Sequence, residues 1–480
     1  MSAAPPDAAP PDAAPPDAER RRPRIDWRGR DHTRGRLTMS LLVLALPGLA
    51  TSLSSVVFQL VDLTFISRLG DAAMASVVIV NQTLRQTFFM LLMGASFGTQ
   101  ALVAAAVGSG NVERAEHIAG QAIAIGASIS LLLMCLGGFF PELLFSLPGP
   151  NPSFYEYGVP YVRLVFLLNF GVVGTLFFNS ILAGAGDTTT PLFIMLFQAA
   201  VAISAEWLLI FGNLGAPALG VEGVAIGIAI GQISAMLVGL TVLFRGGARV
   251  HLRRHHVIPD LPVMRRIIRL SWPPAVQMLG SVATTYLFLR LTGEFGDAVQ
   301  AAYAIGLRLG MIAPMVCFPL AGACATIVGQ TLGAGKVPRA WRALGTGLAI
   351  HATVMFGFAG ALLAFRNEIL QFFTQDPEVL VVASEYLWYL AFSFMLWAFY
   401  FVFMRSLQGA GDVLVPMAIS MGTTFGVTLP LAWVLVRYTS LGATGIWRAQ
   451  LVGSVLLTLG TGFWVATGRW TRRRTSWKTH

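Results

Sequence analysis

Charge is scarce in this chain of 480 residues, where Asp, Glu, Lys and Arg together make up 12%. A soluble domain is nearer a quarter charged, so this composition excludes an ordinary water-soluble globule. Cysteine is scarcer still, with three copies at Cys135, Cys317 and Cys324. All three fall inside apolar runs at a spacing that suits neither a metal site nor a disulfide framework, so they read as small core residues. No phosphate loop is present. "GAGD" is not one, and in "GQTLGAGKV" the first glycine is misplaced and Val337 stands where Ser or Thr is needed. No metal-ligand cluster and no nucleophile with a base at helical spacing are found. The sequence therefore predicts no catalytic residues, no bound metal, no organic cofactor and no enzyme activity.

What the chain has is apolar length, with 55% hydrophobic residues. A helix needs about 20 apolar residues to cross the hydrocarbon core. Twelve such runs are readable, roughly 40–66, 75–104, 117–140, 160–181, 190–212, 221–244, 270–292, 301–331, 341–364, 384–408, 413–436 and 444–467. They are too long and too evenly apolar for barrel strands. The fold class expected is an all-α integral membrane protein with 12 transmembrane helices, its partners membrane lipids.

The net charge of +10 does not point to nucleic acid, because the arginines are placed asymmetrically. They cluster before the first run (Arg20 to Arg36), between the sixth and seventh (Arg245 to Arg269), and after the last (Arg469 to Lys478). The opposite side holds only Arg68, Arg163, Arg290, Arg366, Arg437 and Arg448. With twelve spans the three clusters share one side, which the positive-inside rule makes cytoplasmic. The expected location is the plasma (inner) membrane, with both termini in the cytoplasm. At the N-terminus "AAPPD" repeats three times over Ala3–Asp17 without an apolar stretch. It reads as a disordered tail rather than a cleaved signal.

The chain is also written twice. "LAGAGDTTTPL" at Leu182–Leu192 returns as "LQGAGDVLVPM" at Leu407–Met417. "SRLGDAAMA" (Ser67–Ala75) answers to "GEFGDAVQA" (Gly293–Ala301), "AAVGSGNVERA" to "GQTLGAGKVPRA", and Pro47 to Pro273, at offsets of 222 to 226. Two six-span halves in the same order follow, expected as lobes at 37–244 and 270–467. A disordered segment 1–36, a cytoplasmic linker 245–269 and a basic tail 468–480 complete the division. An even span number per half requires a pseudo-two-fold axis along the membrane normal. The doubled corners carry Gly184, Gly186, Asp187 and Pro191, then Gly409, Gly411, Asp412 and Pro416. These read as structure: glycines for close approach or positive φ, aspartates for helix N-caps, prolines for a first turn.

The order, doubling and spacing of "RLGD…A", "VGQTLGAGKVPRA" and the "GAGD" corners resemble the multidrug and toxic compound extrusion (MATE) transporters over about 40–467. The resemblance implies cation-coupled export of amphipathic, often cationic small molecules through two six-helix lobes; two such lobes with a cleft between them are the architecture of alternating access, and a monomer is expected. The alternative kept open is a flippase or exporter of a lipid-linked or anionic precursor, for which Arg85 and Arg308 speak.

Ionisable residues inside spans are expensive and few. Asp62 in "FQLVDLTFI" and Glu206 in "AISAEWLLIF" are expected to couple the ion, with Gln59 one turn before Asp62. Asn81, Asn169 and Gln198 are further binding candidates, each competing with a plain helix–helix contact. By the resemblance, Asp62 falls on the family's first-span aspartate. The acid of a fifth-span Asn-x-x-x-Asp pair falls on Glu206, but its asparagine position holds Ala202, and a seventh-span glutamate position holds Ser281. Protons are thus expected over sodium, with coupling in the N-terminal lobe.

Overall fold

A computed structural model describes residues 32–245 and 249–472, and among these every regular element is a helix. Twelve long helices form the body: α1 (Leu37–Ile66), α2 (Asp71–Gly108), α3 (Val112–Phe139), α4 (Tyr155–Leu167 and Phe170–Ala185), α5 (Thr189–Phe211), α6 (Val221–Phe244), α7 (Leu261–Gly293), α8 (Asp297–Gly333), α9 (Val337–Ala364), α10 (Pro377–Gly409), α11 (Leu414–Tyr438) and α12 (Thr444–Ala466). Ten of them are long and apolar enough to cross a membrane alone, and the α4 pair, bent by 45°, makes an eleventh. The twelfth, α7, is 33 residues long but begins with Arg265, Arg266 and Arg269 and carries Pro273 and Pro274 inside. Asp260 caps it by accepting from the Val263 N–H at 3.4 Å. Its helix therefore starts nine residues before the apolar run expected at 270.

The bend in α4 has a local cause. Asn169 stands at the break and accepts a hydrogen bond from Ser130 Oγ at 2.7 Å. Its amide donates to Ser130 O at 3.2 Å and to Phe166 O. A side chain so fully bonded to α3 and its own helix is structural. Asn169 is accordingly removed from the binding candidates.

The two halves pack as a pseudo-symmetric pair. α1 lies against α8, and its mate α7 lies against α2. The corner glycines repeat the same contact: a Cβ on Gly184 would stand 2.7 Å from Gln100 O, and one on Gly409 would strike Ala325 O, 225 residues along in both chains of contact. Gly186 (φ 92°) and Gly411 (φ 80°) take the left-handed region that only glycine enters cheaply. Asp187 Oδ1 accepts from the Thr189 and Thr190 N–H groups at 3.0 and 2.9 Å, satisfying the start of α5. Asp412 accepts from the Trp464 indole of α12 at 2.8 Å. Pro191 and Pro416 each fall at the third position of the next helix.

Two further expectations are corrected. Cys135 is exposed on α3 rather than core, while Cys317 and Cys324 are buried. Residues 1–31, most of the expected disordered tail, lie outside the described residues, but 32–36 are held. Arg339 donates to the carbonyls of His32, Arg34 and Gly35 at 3.0, 2.8 and 3.0 Å, and Lys336 to Thr33 O at 3.1 Å. The His32 ring packs under Gly186 and is fully buried. The chain before α1 is thus a strap joining both lobes at the face that carries the termini.

Candidate functional site

The lobes touch through the halves of their helices nearest the termini. Gly94 and Gly98 of α2 abut the α7 backbone at Pro274, Ala275 and Leu270, and Gly48 of α1 meets Pro319 of α8. Helical spacing extends these faces toward the far end. On α1 the stripe runs 48, 52, 55, 59, 62, so Gln59 and Asp62 continue the face that meets Pro319. On α8 it runs back through 326, 319 and 312 to 308, where Met311, Ile312 and Arg308 are exposed. The lobes are thus joined at the end nearest the termini, and at the far end Gln59, Arg308, Met311 and Ile312 are exposed.

Asp62 and Glu206 sit in the far halves of α1 and α5, one turn from the helix end in the first case and five residues from it in the second. Three glycines one turn apart, Gly223, Gly227 and Gly231, let α6 lie against α5. A Cβ on Gly227 would stand 2.7 Å from Glu206 Cγ, and one on Gly231 2.6 Å from Ala202 Cβ. This close approach gives a physical reason for alanine at 202: an asparagine would drive into α6. It also buries Glu206 completely.

In α2 the hydrogen bonding widens to a π-turn over Val80–Arg85. Such insertions are rare and re-aim side chains, often at functional sites. Here the turn presents Asn81 and Arg85. Asn81 Oδ1 accepts from Tyr161 Oη at 3.1 Å and from Arg85 Nη1 at 3.5 Å. Arg85 lies near enough to both carboxylates, and Asp62 near enough to Glu206, for their charges to interact. None of the three forms a direct ion pair among the described residues. Asp62 Oδ1 and both Glu206 oxygens are buried without a hydrogen-bond partner. Two acids and one cation, drawn from α1, α5 and α2, thus lie near enough for their charges to interact in the N-terminal lobe, with Tyr161 of α4 bonded to Asn81 beside Arg85.

The other candidates stand apart. Gln59 is exposed on the α1 stripe and donates to Ser55 Oγ at 3.3 Å. Gln198 lies about 12 Å nearer the termini face along α5 than Glu206, with its carbonyl against Gly231. Ser281, the seventh-span position, bonds only its own helix, donating to Met278 O at 2.7 Å. Sequence reading missed Tyr161, and it missed the chain Gln100, Arg405, Gln408, Gln277 and Tyr400 that crosses the lobe seam. The available signal for the latter was a charge one turn inside the tenth apolar run.

Comparison with known proteins agrees with this architecture. The chain is 23% identical over 434 residues to a probable multidrug resistance protein NorM of Thermotoga maritima, covering 90% of this chain and 93% of that one. It is 26% identical to a FAD transporter of Shewanella oneidensis, covering 87% and 92%. A solved outward-facing multidrug resistance MATE family transporter superposes with a TM-score of 0.81 at 20% identity, over 93% of this chain and 98% of that one. A MOP superfamily transporter from Pyrococcus furiosus does so with 0.81 at 19%, over 94% and 99%. The MatE family model matches residues 47–208 and 273–434, one match in each lobe. With more than half of its length matched, and matched twice in the register of its own repeat, the chain belongs to the MatE family.

Proposed function

We propose that the protein is a secondary exporter that exchanges protons for amphipathic small molecules by alternating access of the two lobes. The observation that carries this reading is the pocket of Asp62, Glu206 and Arg85. In low dielectric, two carboxylates beside one guanidinium cannot both stay charged without cost, while one shared proton leaves the group neutral. The pocket is thus built to hold a proton and to change its charge by releasing it. A sodium ion would sit against the Arg85 charge, and Asn81 Oδ1 is already taken by two donors. The family and the names of its relatives support the export of drugs. The test is drug uptake into inside-out vesicles with proton and sodium gradients imposed separately. A proton gradient alone should drive uptake, and strict sodium dependence would overturn the assignment.

A second reading, export of an anionic amphipath, is favoured by one observation. Arg308 is exposed on the far end of the α8 stripe and forms no ion pair among the described residues. The Shewanella relative named a FAD transporter is consistent with it. Anionic and cationic dyes compared in the same vesicles decide between the two.

The reading includes an orientation, supported by the arginine clusters at the face that carries the termini. Tags at residue 255 and at the C-terminus are both expected to report cytoplasm. A signal from the opposite side at either position would break it.

A further inference from the structure

Arg405 lies one turn from the end of α10, at the seam where the lobes meet, and is 3% exposed. Its Nη2 donates to Gln100 Oε1 of the other lobe at 2.6 Å. Its guanidinium lies 3.6 Å from the centre of the Phe97 ring, also on α2. Its Nη1 donates to Gln408 Oε1 at 2.9 Å, and Gln408 in turn donates to Gln277 Oε1 of α7 at 3.2 Å. Its Nε has no partner, and among the described residues no acid forms an ion pair with it. A permanent charge has been buried on neutral partners alone, and the two that complete its shell belong to the opposite lobe.

We propose that Arg405 is the pin of a latch that holds the lobes together at the termini face, seated by Gln100 and Phe97 and withdrawn into water when the lobes part. This rests on the alternating-access reading and names the contact that sets the balance between its two states. A buried guanidinium without a counter-ion loses much of its hydration, which the cross-lobe hydrogen bond and ring contact offset. The latch requires that the two opposing contributions be of similar size, so that the seam can both close and open. Taking away one partner tips it. With Gln100 gone, the charge in the closed seam is left uncompensated, whereas in the parted state it is hydrated as before. Gln100 also donates to Thr326 Oγ1 at 3.0 Å, so it anchors α8 at the same point.

The test is a pair of spin labels at the exposed positions Glu113 and Arg342, one on each lobe at the termini face, with the exposed Cys135 changed to Ser. Distances are read by double electron–electron resonance on the full chain in nanodiscs. Gln100→Leu should raise the ratio of the long to the short distance on the order of a hundredfold. Removing the charge as well, in Gln100→Leu with Arg405→Met, should restore the short distance, because no buried charge then lacks a partner. A loss of packing at position 100 would not be repaired by a second substitution across the seam. Two wild-type populations whose ratio Gln100→Leu leaves unchanged would sink the latch alone. A wild type with a single distance at every pH and with added substrate would sink alternating access and the latch together.

Discussion

Asp62→Asn protein is expected to reach the membrane at normal levels, bind substrate and fail to move it against a gradient. The substitution is nearly isosteric, and Asp62 is neither ion-paired nor fully buried, so the fold should lose no more than about 1 kcal/mol. What is lost is the capacity to take and release a proton. In the proposed exchange a proton neutralises the group formed by Asp62, Glu206 and Arg85. An amide leaves Arg85 facing Glu206 alone, a permanently balanced pair that the external proton has no reason to visit. Uptake into inside-out vesicles should fall to passive leak, while equilibrium dye binding to purified protein stays within a few-fold of wild type. Active uptake at the wild-type rate would refute the role of Asp62 and shift it to Glu206.

Much of this pocket was legible in the sequence, and for a definite reason. Acids inside apolar runs are few, and a charge that must be kept out of water marks its own position. Asp62 and Glu206 are read that way, and in the structure the Asp62 charge is close enough to act on Glu206. Arg85 and Asn81 are visible as polar residues of the second run, but their aim is not, since it depends on a π-turn that leaves no hydropathy signal. Asn169 shows the opposite failure. A buried amide looks the same in sequence whether it awaits a ligand or stitches a bent helix to its neighbour. Helix α7 is legible as the apolar run 270–292, and the internal repeat supports it, because Pro273 answers to Pro47; its first nine residues are too charged to be read as part of a span. The helices overrun their apolar runs at the ends because nothing in water stops a helix where the lipid stops. Arg405 escaped notice because it sits at such an end, where a charge is ordinarily assumed to reach solvent.

Glu206→Met is expected to make the protein more stable and inactive. Glu206 is fully buried between α5 and α6, and neither of its carboxylate oxygens has a hydrogen-bond partner. An unsatisfied buried polar group costs about 1–3 kcal/mol, and replacing it with an apolar group of similar shape relieves that cost. Methionine matches the unbranched stem that Gly227 accommodates, so the α5–α6 contact should survive. Thermal unfolding in detergent should shift upward by a few degrees, on the order expected for that free energy in a large chain, while proton-driven uptake is lost. Glu206→Gln separates the two effects. It removes the proton site equally but keeps an unsatisfied amide in the same place, so uptake should fall without a gain in Tm. A natural sequence keeps a destabilising acid where function requires it. If Glu206→Met lowers Tm, the carboxylate is serving the fold through a partner, and its place in proton coupling loses its physical basis.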